Sequence, residues 1–240
     1  DAVAVMEQLG AEIHEVELPW SAFSSSASWA IAYIESFAIH RARFFARARD
    51  YTPAFLHKVA GAACLSAEEH LTAERVRERV SAEFNQALQV ADVLVMPTTA
   101  YTAHPVTGPN PQPETHSLTR AASLTGLPTL AMPCGFVEGL PVSMQLTGRA
   151  WDEGTVLRLG HAYEQAVPWS QQRAPIDAHG NPRIHPAQCG LECAVDATWV
   201  LDHARLNGLS FVTPENAEPI AASIGPQKTQ LAASSRLLED

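Results

Sequence analysis

The chain has 240 residues, 46% of them hydrophobic, and its 16 basic against 26 acidic side chains leave a formal charge of −10. That apolar content can build a sizeable core and excludes a disordered chain, while the acidic balance argues against a nucleic-acid partner, which a basic patch would announce. No run approaches the roughly 18 apolar residues of a membrane span, and no basic start with an apolar stretch behind it marks a signal peptide, so a soluble protein without membrane contact is expected.

Residues 2–9 read as the end of an apolar helix with Gly10 as its cap, and Glu12–Leu18 as a strand with Ile13, Val16 and Leu18 apolar before Pro19 stops it. Because the chain opens at Asp1 inside a helical pattern, residues are expected to precede it. Residues 29–49 have apolar positions near helical spacing, with Arg41, Arg43, Arg47 and Arg49 on the remaining faces. Ser66-Ala67-Glu68-Glu69 fits a capping box, and Val76, Val80, Phe84 and Leu88 then recur every four residues up to Val90. The charges between them read as a solvated helix face with i,i+3 and i,i+4 pairs.

Asp92–Met96 is a short apolar run ended by Pro97, as expected of a strand buried on both faces. Eight of the 17 prolines lie between Pro97 and Pro141, and residues 103–116 read as a long loop. Leu118–Leu124 predicts a short helix, Gly126-Leu127-Pro128 a turn, Thr129–Met132 a second buried strand and Pro141–Thr147 an alternating third. Asp152 caps a helix through Val167, whose Val156, Leu159, Tyr163 and Ala166 share one face. Residues 170–193 are polar with three prolines and read as a linker or wrapping loop. A helical tail follows, with a start at Thr213-Pro214, a stop at Gly225-Pro226 and a last helix over Gln227–Leu238. The alternation predicts an α/β fold.

Chemistry is scarce in these elements. There is no Walker loop, no G-x-G-x-x-G, no H-E-x-x-H and no G-x-S-x-G. His40, His57 and His70 fall in helices, where surface or structural roles account for them. The four cysteines are too few and too uneven for a disulfide framework, which makes a reducing, cytoplasmic compartment the default. Cys189 and Cys193 with His185 offer three metal ligands without the second pair that a structural zinc site needs. Only two lysines, Lys58 and Lys228, accompany 14 arginines, which limits any mechanism built on a buried amine. Cys134 has no evident histidine partner and reads as a small buried residue. A strand ending in Met96-Pro97-Thr98-Thr99 delivers hydroxyls to the carboxyl end of a sheet, a common ligand position. Gly126, Pro128, Pro133 and Gly135 serve either close backbone approach to a ligand or turn geometry alone.

Four ordered blocks together resemble the C-terminal part of the amidase signature family. They are Phe84 with Ala91–Thr98; Thr119 through Ser123–Pro128; Met132–Phe136; and Gly139–Gly148, continued by the helix from Asp152-Glu153 to Tyr163-Glu164-Gln165. The likeness extends back to Asp1 and ends near Pro175. It implies the C-terminal part of a large mixed β-sheet covered by α-helices over residues 1–175, a linker over 176–193 and a small helical tail over 194–240. Enzymes of this family hydrolyse amides with a serine nucleophile, a second serine on a cis peptide and a deprotonated lysine, without a cofactor. Those residues lie in a Gly-Ser-Ser-Gly-Gly-Ser type loop and its surroundings, which do not occur in this sequence, and neither lysine has the family's lysine context. No catalytic residue is therefore assigned. The resemblance makes Thr98, His116, Arg120, Gly126, Leu127, Pro128 and Gln145 the candidate substrate-binding residues for a small-molecule amide.

The expected partner is the missing N-terminal half of the same domain, with a homo-oligomer as a further expectation; a non-catalytic, partner-binding chain is the other reading. The tRNA-dependent amidotransferase A subunits of the family usually carry an acidic residue where this chain has His116, and an arginine in the region of His57-Lys58-Val59. Both departures favour a general small-molecule amidase. His203–Leu206 with Gly208-Leu209 faintly resembles the helical C subunits that accompany some of these enzymes, so the tail is either an accessory, dimer-forming segment or an ordinary extension.

Overall fold

The computed structural model describes residues 1–103 and 118–172, together with Ala217, Ala221 and Ala222. The chain is mixed α/β and divides into two compact units, Asp1–Pro19 with Ser81–Gly190, and Trp20–Val80 with Leu191–Asp240. Most of the predicted long loop, linker and tail, and with them the Cys189, Cys193 and His185 cluster, lies outside the described residues; of the tail only Ala217, Ala221 and Ala222 are described, all helical, with Ala217 and Ala221 buried.

In the first unit, α1 (Ala2–Gln8) closes at Gly10, as predicted, through bonds from the Gly10 and Ala11 amides to the Glu7 and Met6 carbonyls. Glu12–Leu18 is a correction: it is not a strand. A strand needs a ladder partner, none is present among the described residues, and Ile13 and Val16 stand 42% and 37% exposed. Three strands, β1 (Val93–Pro97), β2 (Thr129–Val137) and β3 (Leu140–Gly148), form an antiparallel sheet in the order β1-β3-β2. β2 and β3 are joined by a tight turn at Glu138-Gly139, where both residues take positive φ (51° and 79°); this is the two-residue hairpin geometry for which glycine is best suited. β2 runs five residues past its predicted end, with Cys134 bulged out between the Pro133↔Ser143 and Gly135↔Val142 pairs.

The expectation that β1 and β2 are buried on both faces is also corrected. In β1 only Leu94 is buried, and in β2 Thr129, Ala131 and Pro133 are exposed. Both lie at the edges of the three-stranded sheet, and central β3 carries the buried run Met144–Gly148. One face of the sheet is apolar: Val93, Val95, Leu130, Met132, Met144 and Leu146 pack with Met6 of α1 and with Val156 and Tyr163 of α6 (Glu153–Ala166). Asp152 caps α6 as predicted, its carboxylate accepting from the Thr155 amide at 3.3 Å. Ala166, placed by periodicity on the buried face, is exposed instead, because the chain leaves the helix at Val167 (ψ 137°). Thr129, Ser143, Gln145 and Thr147 occupy the sheet's other, polar face by the period-two alternation of the strands.

In the second unit, α2 spans Ser24–Arg47, five residues longer at its start than predicted, and packs on α3 (Pro53–Ala62). His40, Phe44, Tyr51 and Phe55 form one aromatic cluster there, with His40 Nδ1 3.1 Å from the Tyr51 hydroxyl. The division between the units falls within α4 (Ala67–Val90). Its capping box forms as the sequence predicts: the Ser66 amide donates to Glu69 at 2.8 Å and the Glu69 amide to the Ser66 hydroxyl at 3.1 Å. Val76, Val80, Phe84 and Leu88 are all buried.

Candidate functional site

The polar face of the sheet gathers several of the residues singled out from sequence. Beyond Pro97 the ladder continues by one bond, from the Thr98 amide to the Ser143 carbonyl at 3.0 Å, and the Thr98 and Ser143 hydroxyls share a short hydrogen bond. Two hydroxyls bonded to each other keep one hydrogen and several lone pairs for a third group. Both residues are half-buried. The pair therefore offers a donor and acceptors at the carboxyl end of β1, where the sequence placed Thr98. Ser143 itself was missed, although the alternation Ser143, Gln145, Thr147 against Met144, Leu146 was there to mark it.

Gln145 is 1% exposed and lies across from Met96 on β1 and Ala131 on β2. Its Nε2 donates to the Pro97 and Leu118 carbonyls, each at 3.1 Å. Two carbonyl partners require the NH₂ end of the amide at that position, which settles the side chain's orientation. Leu118 is the N-cap of α5 (Thr119–Thr125), so this one side chain joins the end of β1, the middle of β3 and the start of the helix. Arg120, half-buried, stands in the first turn of that helix.

The predicted turn residues lie at the other end of α5. Gly126 ends the helix in the left-handed region (φ 71°, ψ 18°), its amide donating to Ala122 at 3.0 Å; this conformation suits glycine. Leu127 is buried, and its carbonyl accepts from the Thr129 hydroxyl at 3.3 Å. The Pro128 carbonyl accepts from the Gly148 amide at 3.0 Å. These groups are engaged in docking α5 and the start of β2 onto β3. Beside them the Thr129 and Thr147 hydroxyls bond at 3.0 Å, with Thr147 fully buried. His116 lies outside the described residues.

Along the outer edge of β2, beside α6, runs a cleft of about 330 Å³ lined by Leu130, Met132, Leu157, Tyr163, Val167 and Trp169. Burial holds the Tyr163 phenol above its ordinary range, opposed by its hydrogen bond with Trp169 and aided by the neighbouring Cys134. Burial likewise pushes the Cys134 thiol up. Its Sγ lies 3.6 Å from the Val142 carbonyl. A raised pKa disfavours thiolate and agrees with the reading of Cys134 as no nucleophile, but the side chain is half-buried, not buried as the sequence suggested. No group of three His, Cys, Asp or Glu side chains among the described residues could hold a metal ion. Nor is any described helix long and apolar enough to cross a membrane.

Comparison with known proteins places this geometry. The sequence model of the Amidase family matches residues 1–157. The A subunit of the glutamyl-tRNA(Gln) amidotransferase of Synechococcus sp. (strain JA-3-3Ab) is 32% identical over 214 residues, covering 78% of this chain and 41% of the relative. Its counterpart from Roseiflexus sp. (strain RS-1) is 32% identical, covering 70% and 40%. Among solved structures, an amidase aligns with a TM-score of 0.59 at 26% identity over 69% of this chain and 41% of its own. The A subunit of the Thermotoga maritima glutamyl-tRNA(Gln) amidotransferase superposes with a TM-score of 0.53 at 27% identity, covering 78% and 40%. The chain thus spans about two-fifths of the length of these relatives, and it belongs to the amidase signature family.

Proposed function

We propose that this chain is the C-terminal portion of an amidase signature enzyme that hydrolyses C–N bonds of small-molecule amides, and that it supplies one wall of the substrate pocket. The observation that carries this reading is the polar sheet face. Thr98, Ser143 and the first turn of α5 present hydrogen-bonding groups within the segment that matches the family, in a sequence that lacks the family's serine loop and lysine context. In this reading the Thr98–Ser143 pair holds the amide of the substrate, Arg120 borders the pocket and Gly126-Leu127-Pro128 shapes its far end. The attacking serine and its base come from residues outside this chain, as the preceding part of the same polypeptide or as a separate chain; the amine leaves, protonated, as the serine is acylated, and water then hydrolyses the acyl-serine to release the acid. His116 is carried as a further substrate-binding residue, and the tail over 194–240 as either a dimer-forming accessory segment or an ordinary extension.

A fluorophosphonate probe, which labels activated serines, tests the division of labour. The chain alone is expected to remain unlabelled and inactive, and adding a polypeptide with the Gly-Ser-Ser-Gly-Gly-Ser loop is expected to bring hydrolysis of a panel of small amides. Labelling of a serine in this chain alone would overturn the reading. The names of the curated relatives favour a second reading, a protein resembling the amidotransferase A subunits. In that case the reconstituted enzyme prefers free glutamine to simple aliphatic and aryl amides by a wide margin.

A further inference from the structure

We infer that Gln145 is a positioning residue of this site: by tying the Pro97 carbonyl to the Leu118 carbonyl it sets the separation between the Thr98–Ser143 hydroxyls and the helix turn that carries Arg120. The inference rests on the amide-site reading above and deepens it. The sequence made Gln145 a candidate for direct substrate contact. The structure puts both of its N–H donors on backbone carbonyls 48 and 27 residues away in sequence, in a side chain with almost no exposed surface.

The chemistry of the tie is specific. Pro97 has no amide hydrogen to fasten β1 at this point, and the ladder bond beyond it belongs to Thr98. The Leu118 carbonyl sits at the N-cap of a helix only seven residues long, too short to hold its own direction. A carboxamide is the one neutral side chain of this length that can donate twice from a single nitrogen. Methionine keeps the volume and loses both donors. Glutamate puts one acceptor oxygen in the place of Nε2, facing the two carbonyl acceptors, and can donate only once, when protonated.

The test uses the full chain with Gln145→Met and Gln145→Glu, read by amide hydrogen exchange and by titration of benzamide into the enzyme reconstituted with the polypeptide that carries the serine loop. Gln145→Met is expected to speed exchange at Thr98 and through α5 by about tenfold while α6 stays within about twofold, because the loss of two buried bonds acts locally. Benzamide binding is expected to weaken by about fivefold or more. In Gln145→Glu, protection of α5 relative to intrinsic rates is expected to be better at pH 5 than at pH 8, since only the protonated carboxyl can donate. A uniform rise in exchange across α5 and α6, or none, overturns the inference, as does local loosening with unchanged benzamide affinity. If the reconstituted enzyme with the unaltered chain binds no benzamide, the amide-site reading fails and the ligand role of Gln145 fails with it; local loosening in the exchange data then shows the tie as a purely architectural element.

Discussion

The two faces of the three-stranded sheet are built from the same strands and do different work. On the apolar face Met144 and Leu146 of β3 meet Met6, Val156 and Tyr163 in a cluster in which all five side chains are at most 3% exposed. On the polar face Ser143, Gln145 and Thr147 make directed bonds to Thr98, to the Pro97 and Leu118 carbonyls and to Thr129. Burial without direction tolerates side chains of similar volume. Directed bonds between buried groups do not, because any orphaned partner bears its full desolvation cost. The apolar face therefore holds the unit together, and the polar face fixes where a few atoms stand relative to one another.

Removing volume from the apolar face should have the largest effect. Leu146 is fully buried at the centre of the sheet, and Leu146→Ala is expected to lower unfolding stability by about 3 kcal/mol in urea titration, as a lost side chain plus a partly unrelaxed cavity. On the polar face the corresponding change is smaller and has a different signature. Thr147→Val keeps shape and removes the hydroxyl bonded to Thr129, and is expected to cost about 1 kcal/mol. Because either single change already breaks the Thr129–Thr147 bond, the Thr129→Val/Thr147→Val double variant should cost less than the sum of the single changes. Strict additivity would show that the hydroxyl pair is not coupled, and would remove the distinction between the faces at that position.

What was legible in the sequence follows from whether its cause was local. The Ser66–Glu69 capping box, the Asp152 cap and the four-residue recurrence from Val76 to Leu88 are local signals, and each has its element. The alternation in Pro141–Thr147 announced β3 and, read one step further, sorted its side chains onto the two faces. Pairing is not local. Glu12–Leu18 has a strand's pattern without a ladder partner among the described residues, and β1 and β2 look like fully buried strands although each lies at an edge. The candidate site divides in the same way. Thr98 was marked by its place after a strand-ending proline, whereas Gln145 was visible only as part of a family block, because what it does depends on two carbonyls distant in the chain.

Cys134 probes the dry side of the comparison at its rim, with the smallest effect. It bulges from β2 and packs against the apolar cluster, and burial raises its thiol pKa. A thiol whose pKa is higher in the folded than in the unfolded state contributes stability that is fully present below the unfolded value of about 8.5 and is lost as pH rises through the folded value. Stability measured by urea titration should therefore decline above about pH 8.5, and Cys134→Ala should flatten that part of the profile. The raised Tyr163 phenol acts in the same direction at more alkaline pH, past the ordinary tyrosine value of about 10. Peptide mapping after iodoacetamide treatment at pH 7.5 should show Cys134 modified more slowly in the folded chain than after unfolding, with the difference narrowing as pH rises. Rapid alkylation in the folded chain at neutral pH would mean that water and reagent reach this side of the sheet freely, and the contrast between a dry face and a directed one would not extend to the β2 bulge.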